Sequence, residues 1–282
     1  DPPEPAAGEI KVRVAAASLN PLDWKIRDGH LRFVPVLARP PRGTGTDFAG
    51  EIVAIGGGPG PRHVGERVFG SLSPFGRQGS CAEFVTVPAQ HAVAMPPALT
   101  FEQAATLPVA GGTAVQALAD DGRLTAGQRV LVTGGAGGVG HFAVRYAKHL
   151  GAHVSATCGP SNVEFVAGLG ADRVIDYTKT DVLACGETFD LVFDAVNALD
   201  WRRARRLLVP GGLYLGTAGS TAAAIATGVG AFVTSIAGGI RVRNLMLRAG
   251  DASLQRLAAL AAAGVLQPHI ERRVGLDAVA EV

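Results

Sequence analysis

The alternation of apolar and polar positions changes character once along the chain. Ile10-Lys11-Val12-Arg13-Val14 repeats with the period of a half-buried strand, and Phe48 to Ile55, Arg67-Val68-Phe69 and Ala82 to Val87 read as further short strands. Gly and Pro break these runs, and Gly56-Gly57-Gly58-Pro59-Gly60-Pro61 reads as a surface turn. Met95-Pro96-Pro97 then leads into a helical pattern from Thr100 through Asp120. Beyond Gly127 apolar strands and helical faces take turns. Strands are expected at Arg129 to Thr133, His153 to Cys158, Arg173 to Asp176, Leu191 to Val196 and Gly212 to Thr217. Helices are expected at Val139 to Leu150, Asn162 to Leu169 and Ala198 to Leu208, with an alanine-rich helix over Ala258 to Ala263. Such alternation implies right-handed βαβ units and a doubly wound parallel sheet. The expected organisation is a β-rich domain at 1–99 and 264–282 and an α/β domain at 100–263, with no internal repeat.

Length and composition narrow the classes. A chain of 282 residues suits two domains, and 48% hydrophobic against 18% charged residues excludes a disordered protein. A net charge of +2 without a long basic run gives no reason to expect nucleic acid as a partner. Cys81, Cys158 and Cys185 form no CxxC, so neither a disulfide framework nor a thiolate metal cage is suggested, and a reducing cytoplasm fits. The uncharged stretch from Ser220 to Ile240 is nearly long enough for a bilayer, but its glycines and hydroxyls favour a buried segment or pocket wall. No transmembrane segment is expected, and peripheral membrane contact is left open. Asp1-Pro2-Pro3 carries no secretory signal and reads as a start within a longer protein.

The chemistry begins at Val130-Leu131-Val132-Thr133-Gly134-Gly135-Ala136-Gly137-Gly138-Val139-Gly140, a strand, a glycine-rich turn and a helix start. Gly135, Gly137 and Gly140 stand in GxGxxG spacing, for a tight turn, close approach of backbone to a pyrophosphate, and helix-on-strand packing in that order. A helix N-terminus would then face the phosphates, so Gly135 through Gly140, Ala136, Gly138 and Val139 included, are expected to bind a dinucleotide. At the end of the second strand, where an acidic residue grips the ribose of NAD, the chain reads Thr157-Cys158-Gly159-Pro160-Ser161-Asn162. With no carboxylate there to repel a 2′-phosphate, and Ser161 and Asn162 able to donate to one, NADPH is expected rather than NADH.

Ser18-Leu19-Asn20-Pro21-Leu22-Asp23-Trp24, Gly45-Thr46-Asp47-Phe48-Ala49-Gly50, Leu107-Pro108-Val109-Ala110-Gly111-Gly112-Thr113-Ala114, the glycine loop, and Gly170-Ala171-Asp172 leading to Val174-Ile175-Asp176-Tyr177 follow in order. Together they resemble the zinc-independent quinone oxidoreductase branch of the medium-chain dehydrogenases, the chloroplast-envelope type included, over nearly the whole chain. The resemblance implies a GroES-like catalytic domain joined to a Rossmann NADPH domain, and a homodimer. It also implies strands before Gly8 and a return after Val282 that this chain lacks, so truncation at both ends is expected. Where zinc relatives have a cysteine and Gly-His-Glu, this chain has Asn20 and Gly45-Thr46-Asp47. An amide and a hydroxyl do not replace a thiolate and an imidazole, so no zinc is expected. His149 and His153 are parted by Gly151, which removes a shared ligand face.

Without zinc, hydrogen-bond donors must polarise the acceptor, which suits a quinone or an α,β-unsaturated carbonyl compound. By resemblance Asn20 lies near the nicotinamide ribose and substrate, Asp23 and Lys25 on the adjoining turn, Thr113 at the nicotinamide or its phosphate, and Tyr177 on the adenosine side. Asn20 could instead shape a turn before Pro21, Asp23 could cap a short helix over Trp24 to Arg27, and Tyr177 could be ordinary packing. Trp24 and Phe48 are expected in the core or a pocket wall, and Cys81 packs as a small apolar residue. The expected function is hydride transfer from NADPH, with catalytic Asn20, Asp23 and Thr113. The alternatives are a 2-enoyl thioester reductase and a non-catalytic NADPH-binding or redox-sensing protein.

Overall fold

A computed structural model describes residues 4–29, 43–57, 62–74, 76–217, 239–248 and 250–281. The chain divides into two compact units, Asp1–Gly112 with Arg248–Val282, and Thr113–Leu247.

The first unit is built on an antiparallel sheet, with β1 (Glu9–Ser18), β2 (Asp47–Ile55), β3 (Arg67–Ser71), β4 (Phe84–Pro88) and β5 (Ala92–Ala94) in the order β4-β1-β2-β3-β5. Ile10 and Val12 of β1 turn inward onto Phe48, Ile52, Val68, Val85 and Val87, so the period-two pattern buries one face as the sequence requires. The register sets Ser18 and Ser71 on either side of Asp47 at the first position of β2. A short helix α1 (Pro21–Arg27) follows β1, its proline at the start, where the missing N–H costs nothing.

Thr100 caps the next helical run: Gln103 N donates to its Oγ1 at 3.2 Å, and Gln103 Oε1 accepts from Thr100 N at 3.0 Å. This run passes through α2 (Phe101–Ala105), a π-helical turn at Leu107–Gly111, α3 (Gly112–Val115) and a second π turn at Gln116–Asp121. Pro108 brings no N–H to the ladder and Val109 N donates to Asp47, which accounts for the widened winding between them. The sequence pattern began the second domain at residue 100, whereas α2 packs on β1 and β2 of the first unit.

The second unit holds a parallel sheet of β6 (Arg129–Thr133), β7 (His153–Cys158), β8 (Arg173–Asp176), β9 (Phe189–Asp194), β10 (Leu208–Thr217) and β11 (Arg241–Leu245), in the order β11-β10-β9-β6-β7-β8. Helices α4 (Gly138–His149), α5 (Val163–Gly168) and α6 (Trp201–Ala204) lie between the strands. Central strands buried on both faces read as continuous apolar runs, hence Val130-Leu131-Val132 and Leu191-Val192-Phe193. The strand order reverses between β6 and β9, the point at which doubly wound sheets open a crevice at their carboxyl ends.

Two local expectations change. The helix expected from Ala198 shrinks to Trp201–Ala204, because Asp194 draws in the N–H groups of Ala198 and Leu199 at 3.0 and 2.9 Å and Asp200 begins the helix. The alanine-rich helix extends to α7 (Asp251–Ala262) and packs against β5 in the first unit. The turn residues Gly58 to Pro61, and all of Ser220 to Ile240 before Gly239, lie outside the described residues. Among the described residues no helix is long and apolar enough to cross a membrane.

Candidate functional site

In the first unit a polar cluster forms where β1, α1, β2 and the π turn at Leu107–Gly111 come together. Asn20, the residue before α1, donates from Nδ2 to Asp47 Oδ2 at 3.1 Å. That oxygen also accepts from Val109 N at 3.1 Å and from Ser18 Oγ at 3.4 Å. Asp23 takes the backbone N–H of Asn20 at 2.7 Å and the hydroxyl of Thr46 at 2.7 Å. Burial raises the Asp23 carboxyl above its ordinary range against these two donations, and raises Asp47 to about 7. Both oxygens of Asp23 are thus committed to holding neighbours, and its helix-capping reading is the one its geometry displays. Gly45, at φ +90°, turns the chain into β2 beside Ser80 and Cys81, where a side chain would collide with both.

These donors do not suit zinc. The Asn20 nitrogen carries its hydrogens toward a carboxylate, and the Thr46 hydroxyl donates to Asp23, so neither position offers a thiolate or an imidazole lone pair. Among the described residues no group of three or more His, Cys, Asp and Glu is arranged to hold a metal ion.

In the second unit the loop after β6 is tied from both sides. Thr157 on β7 accepts from Gly134 N through its hydroxyl at 3.1 Å and from Gly135 N through its carbonyl at 2.8 Å. Gly137 N closes the turn onto Gly134 O at 2.9 Å. The glycine whose φ of +63° makes the turn is Gly134, not Gly135 as the spacing suggested, and Val196 packs where a Gly134 side chain would stand. Gly140 lies with its Cα against the carbonyl of Gly134, with no room for a Cβ. Gly137 is the residue before α4, and the first-turn N–H groups of Gly138, Val139 and Gly140 have no partner within the helix. A Cβ on Gly138 would meet open space. This cradle fits a pyrophosphate.

Ser161 and Asn162 form the exposed single turn after β7, at Pro160–Asn162. Tyr177 follows β8, is 62% exposed, and carries its hydroxyl close to Gly159. The structure therefore brings Gly159, Ser161, Asn162 and Tyr177 to the strand ends beside the glycine loop. Thr113 is buried on α3 of this unit. Trp24, expected in a core or wall, is 41% exposed with Lys25 over its ring, while Phe48 is in the core as expected.

Sequence reasoning missed two carboxylates. Asp47 stood inside a quoted motif, and Asp194 closed an otherwise apolar strand, the signal that could have marked it. Asp194 is fully buried and spans the reversal point, accepting from Thr133 Oγ1 on β6 at 2.6 Å and from Tyr214 OH on β10 at 2.8 Å. It fixes β6, β9 and β10 at the edge of the loop.

Comparison with known proteins agrees with this architecture. Residues 6–97 match the alcohol dehydrogenase GroES-like domain and residues 169–282 the zinc-binding dehydrogenase family. A chloroplast envelope quinone oxidoreductase homolog of Arabidopsis thaliana is 42% identical over 207 residues, which are 70% of this chain and 62% of that protein. The chain thus spans less than two thirds of that relative's length. The quinone oxidoreductase of Coxiella burnetii superimposes with a TM-score of 0.87 at 31% identity, covering 98% of this chain and 86% of that one. The Escherichia coli quinone oxidoreductase, solved in complex with NADPH, does so with a TM-score of 0.80 at 28% identity, covering 96% and 84%.

Proposed function

Because this chain belongs to the medium-chain dehydrogenase/reductase superfamily, we propose that it is an NADPH-dependent oxidoreductase working without zinc, which passes a hydride to a quinone or an α,β-unsaturated carbonyl compound. The observation that carries this reading is the Asn20–Asp47 pair, a buried hydrogen-bonding group at the position where zinc relatives have a ligand. An amide donor serves an acceptor whose charge spreads over a conjugated oxygen better than it serves a simple alcohol.

The roles divide along the chain. Gly135 to Gly140 hold the pyrophosphate with backbone N–H groups, and Ser161, Asn162 and Tyr177 surround the 2′-phosphate. Bound NADPH supplies the hydride. Asn20 directs an N–H at the acceptor oxygen, and Thr113 orients the nicotinamide end. Asp23 acts by holding Asn20 and Thr46. A cytoplasmic homodimer completes the reading, the compartment supported by three free cysteines.

The test is to follow NADPH oxidation by its absorbance against quinones, enones, enoyl thioesters and aldehydes. Turnover of quinones or enones is expected; oxidation with none of the panel, or with enoyl thioesters alone, overturns the proposal.

A further inference from the structure

The proposed roles leave Asp47 without a task of its own. Its side chain is fully buried, Oδ2 gathers donors from Ser18, Asn20 and Val109, and Oδ1 has no hydrogen-bond partner among the described residues. A buried carboxylate oxygen left alone is costly, and a fold does not keep one for packing when an asparagine or a leucine would fill the space. We infer that Asp47 is the positioning residue for Asn20: its carboxyl determines which end of the Asn20 amide is turned toward the acceptor, and its charge determines how strongly that amide donates. The inference rests on the reading of Asn20 as the donor to the acceptor oxygen.

An amide offers an NH₂ at one end and a carbonyl at the other, and its orientation follows its strongest partner. Asp47 Oδ2 accepts whether the carboxyl is ionised or neutral, so one Asn20 N–H is held in both states and the other is left for a ligand. The states differ in polarity. An ionised Asp47 makes the remaining N–H a poorer donor and sets a negative charge beside an oxygen that is itself gaining electrons. A neutral Asp47 does neither, so the protonated form is the faster one.

The surroundings bring this change within reach of neutral pH. β1 contributes the Ser18 hydroxyl, β3 pairs Ser71 opposite Asp47 with its hydroxyl donating to Leu72 O, the π turn contributes Val109 N–H, and α1 contributes Asp23, whose negative charge opposes ionisation. Glu102 stands exposed at the start of α2, which buries Ala104 and Ala105, and Cys81 near Gly45 has its thiol pushed up by burial and by Asp23. None of these groups is a cation. Burial, the largest influence, together with Asp23 outweighs the donors and holds Asp47 at about 7.

The test uses the full chain labelled with ¹⁵N, in which the Asn20 side-chain amide signals are identified by their loss in Asn20→Ala. In the wild type these signals should shift with a midpoint near neutral pH, and in Asp47→Asn they should be independent of pH. The kcat for quinone or enone reduction should fall as pH rises through the same midpoint, and in Asp47→Asn it should keep its low-pH value. Asp47→Ala should lower kcat about tenfold at every pH with NADPH affinity unchanged, the size expected when an aimed donor is released. Asn20 signals that do not titrate in the wild type overturn the inference, as does an Asp47→Asn profile identical to that of the wild type. If none of the acceptors supports NADPH oxidation, the proposed function fails, while the amide titration still decides whether Asp47 governs Asn20.

Discussion

Gly140 rests so closely on the carbonyl of Gly134 that no Cβ fits between α4 and the turn it caps, whereas two residues earlier Gly138 faces open space. The two glycines of one loop therefore serve different ends. Gly140→Ala should cost about 1 to 3 kcal/mol of folding stability through overpacking, read as a lowered Tm. Gly138→Ala should leave Tm unchanged or slightly raised yet weaken NADPH in a fluorescence titration, because its methyl occupies the approach of the phosphates. Equal Tm losses in both variants would contradict this division.

Asp47 binds its proton more tightly in the folded chain, at about 7, than in the unfolded one, where it titrates near 3.8. Folding stability from this group therefore falls as pH rises from about 4 to about 7 and is level above that. Asp47→Asn removes the slope. Thermal unfolding across that range should show little difference between variant and wild type at the acid end. A gain on the order of a few kcal/mol should appear at the alkaline end. A gain of one size at all pH values would mean that ionisation of Asp47 is not its source.

Loss of the Asn20 amide should be felt in turnover more than in cofactor binding. Asn20→Ala is expected to lower kcat for quinone or enone reduction by about ten- to a hundredfold, with NADPH affinity far less affected. Unchanged kcat would return Asn20 to shaping the turn before Pro21.

Activity should survive dialysis against strong chelators, since Asn20 donates to Asp47 and Thr46 donates to Asp23, and neither offers a thiolate or an imidazole to a metal. Elemental analysis that finds stoichiometric zinc, with turnover lost on its removal, would sink the metal-free mechanism.

At the adenosine end a neutral amide stands on an exposed turn. Asn162→Lys should tighten NADPH by roughly 1 kcal/mol, the difference between a neutral and a charge-assisted hydrogen bond, and leave NADH nearly unchanged. Added salt should erode the gain. If calorimetry shows both cofactors responding alike, Asn162 does not face the 2′-phosphate.

The parts that were legible in sequence were those made by neighbours in the chain. The glycine loop announces itself because strand, turn and helix are consecutive, and β6 falls at Arg129–Thr133 because a central parallel strand is an unbroken apolar run, while β7 and β8 fall at His153–Cys158 and Arg173–Asp176 because turn residues bound their short β-branched stretches. Even there the spacing pointed to Gly135 for a turn made by Gly134, since φ is not written in spacing. The state of Asp47 was beyond reach because its donors come from 29 and 62 residues away, at Ser18 and Val109. Helix α6 was read too long for a similar reason: the carboxylate of Asp194 competes for N–H groups that a local pattern assigns to the helix.

The π turn at Leu107–Gly111 closes its rings over one residue more than an α turn does. An added residue inside a regular α-helix would swing every later side chain by about 100° around the axis. Taken up in a bulge of this kind, it leaves the phase of the helix unchanged on both sides. This stretch is thus a natural splice point, where a relative one residue shorter could wind as an ordinary helix without disturbing the packing of α2.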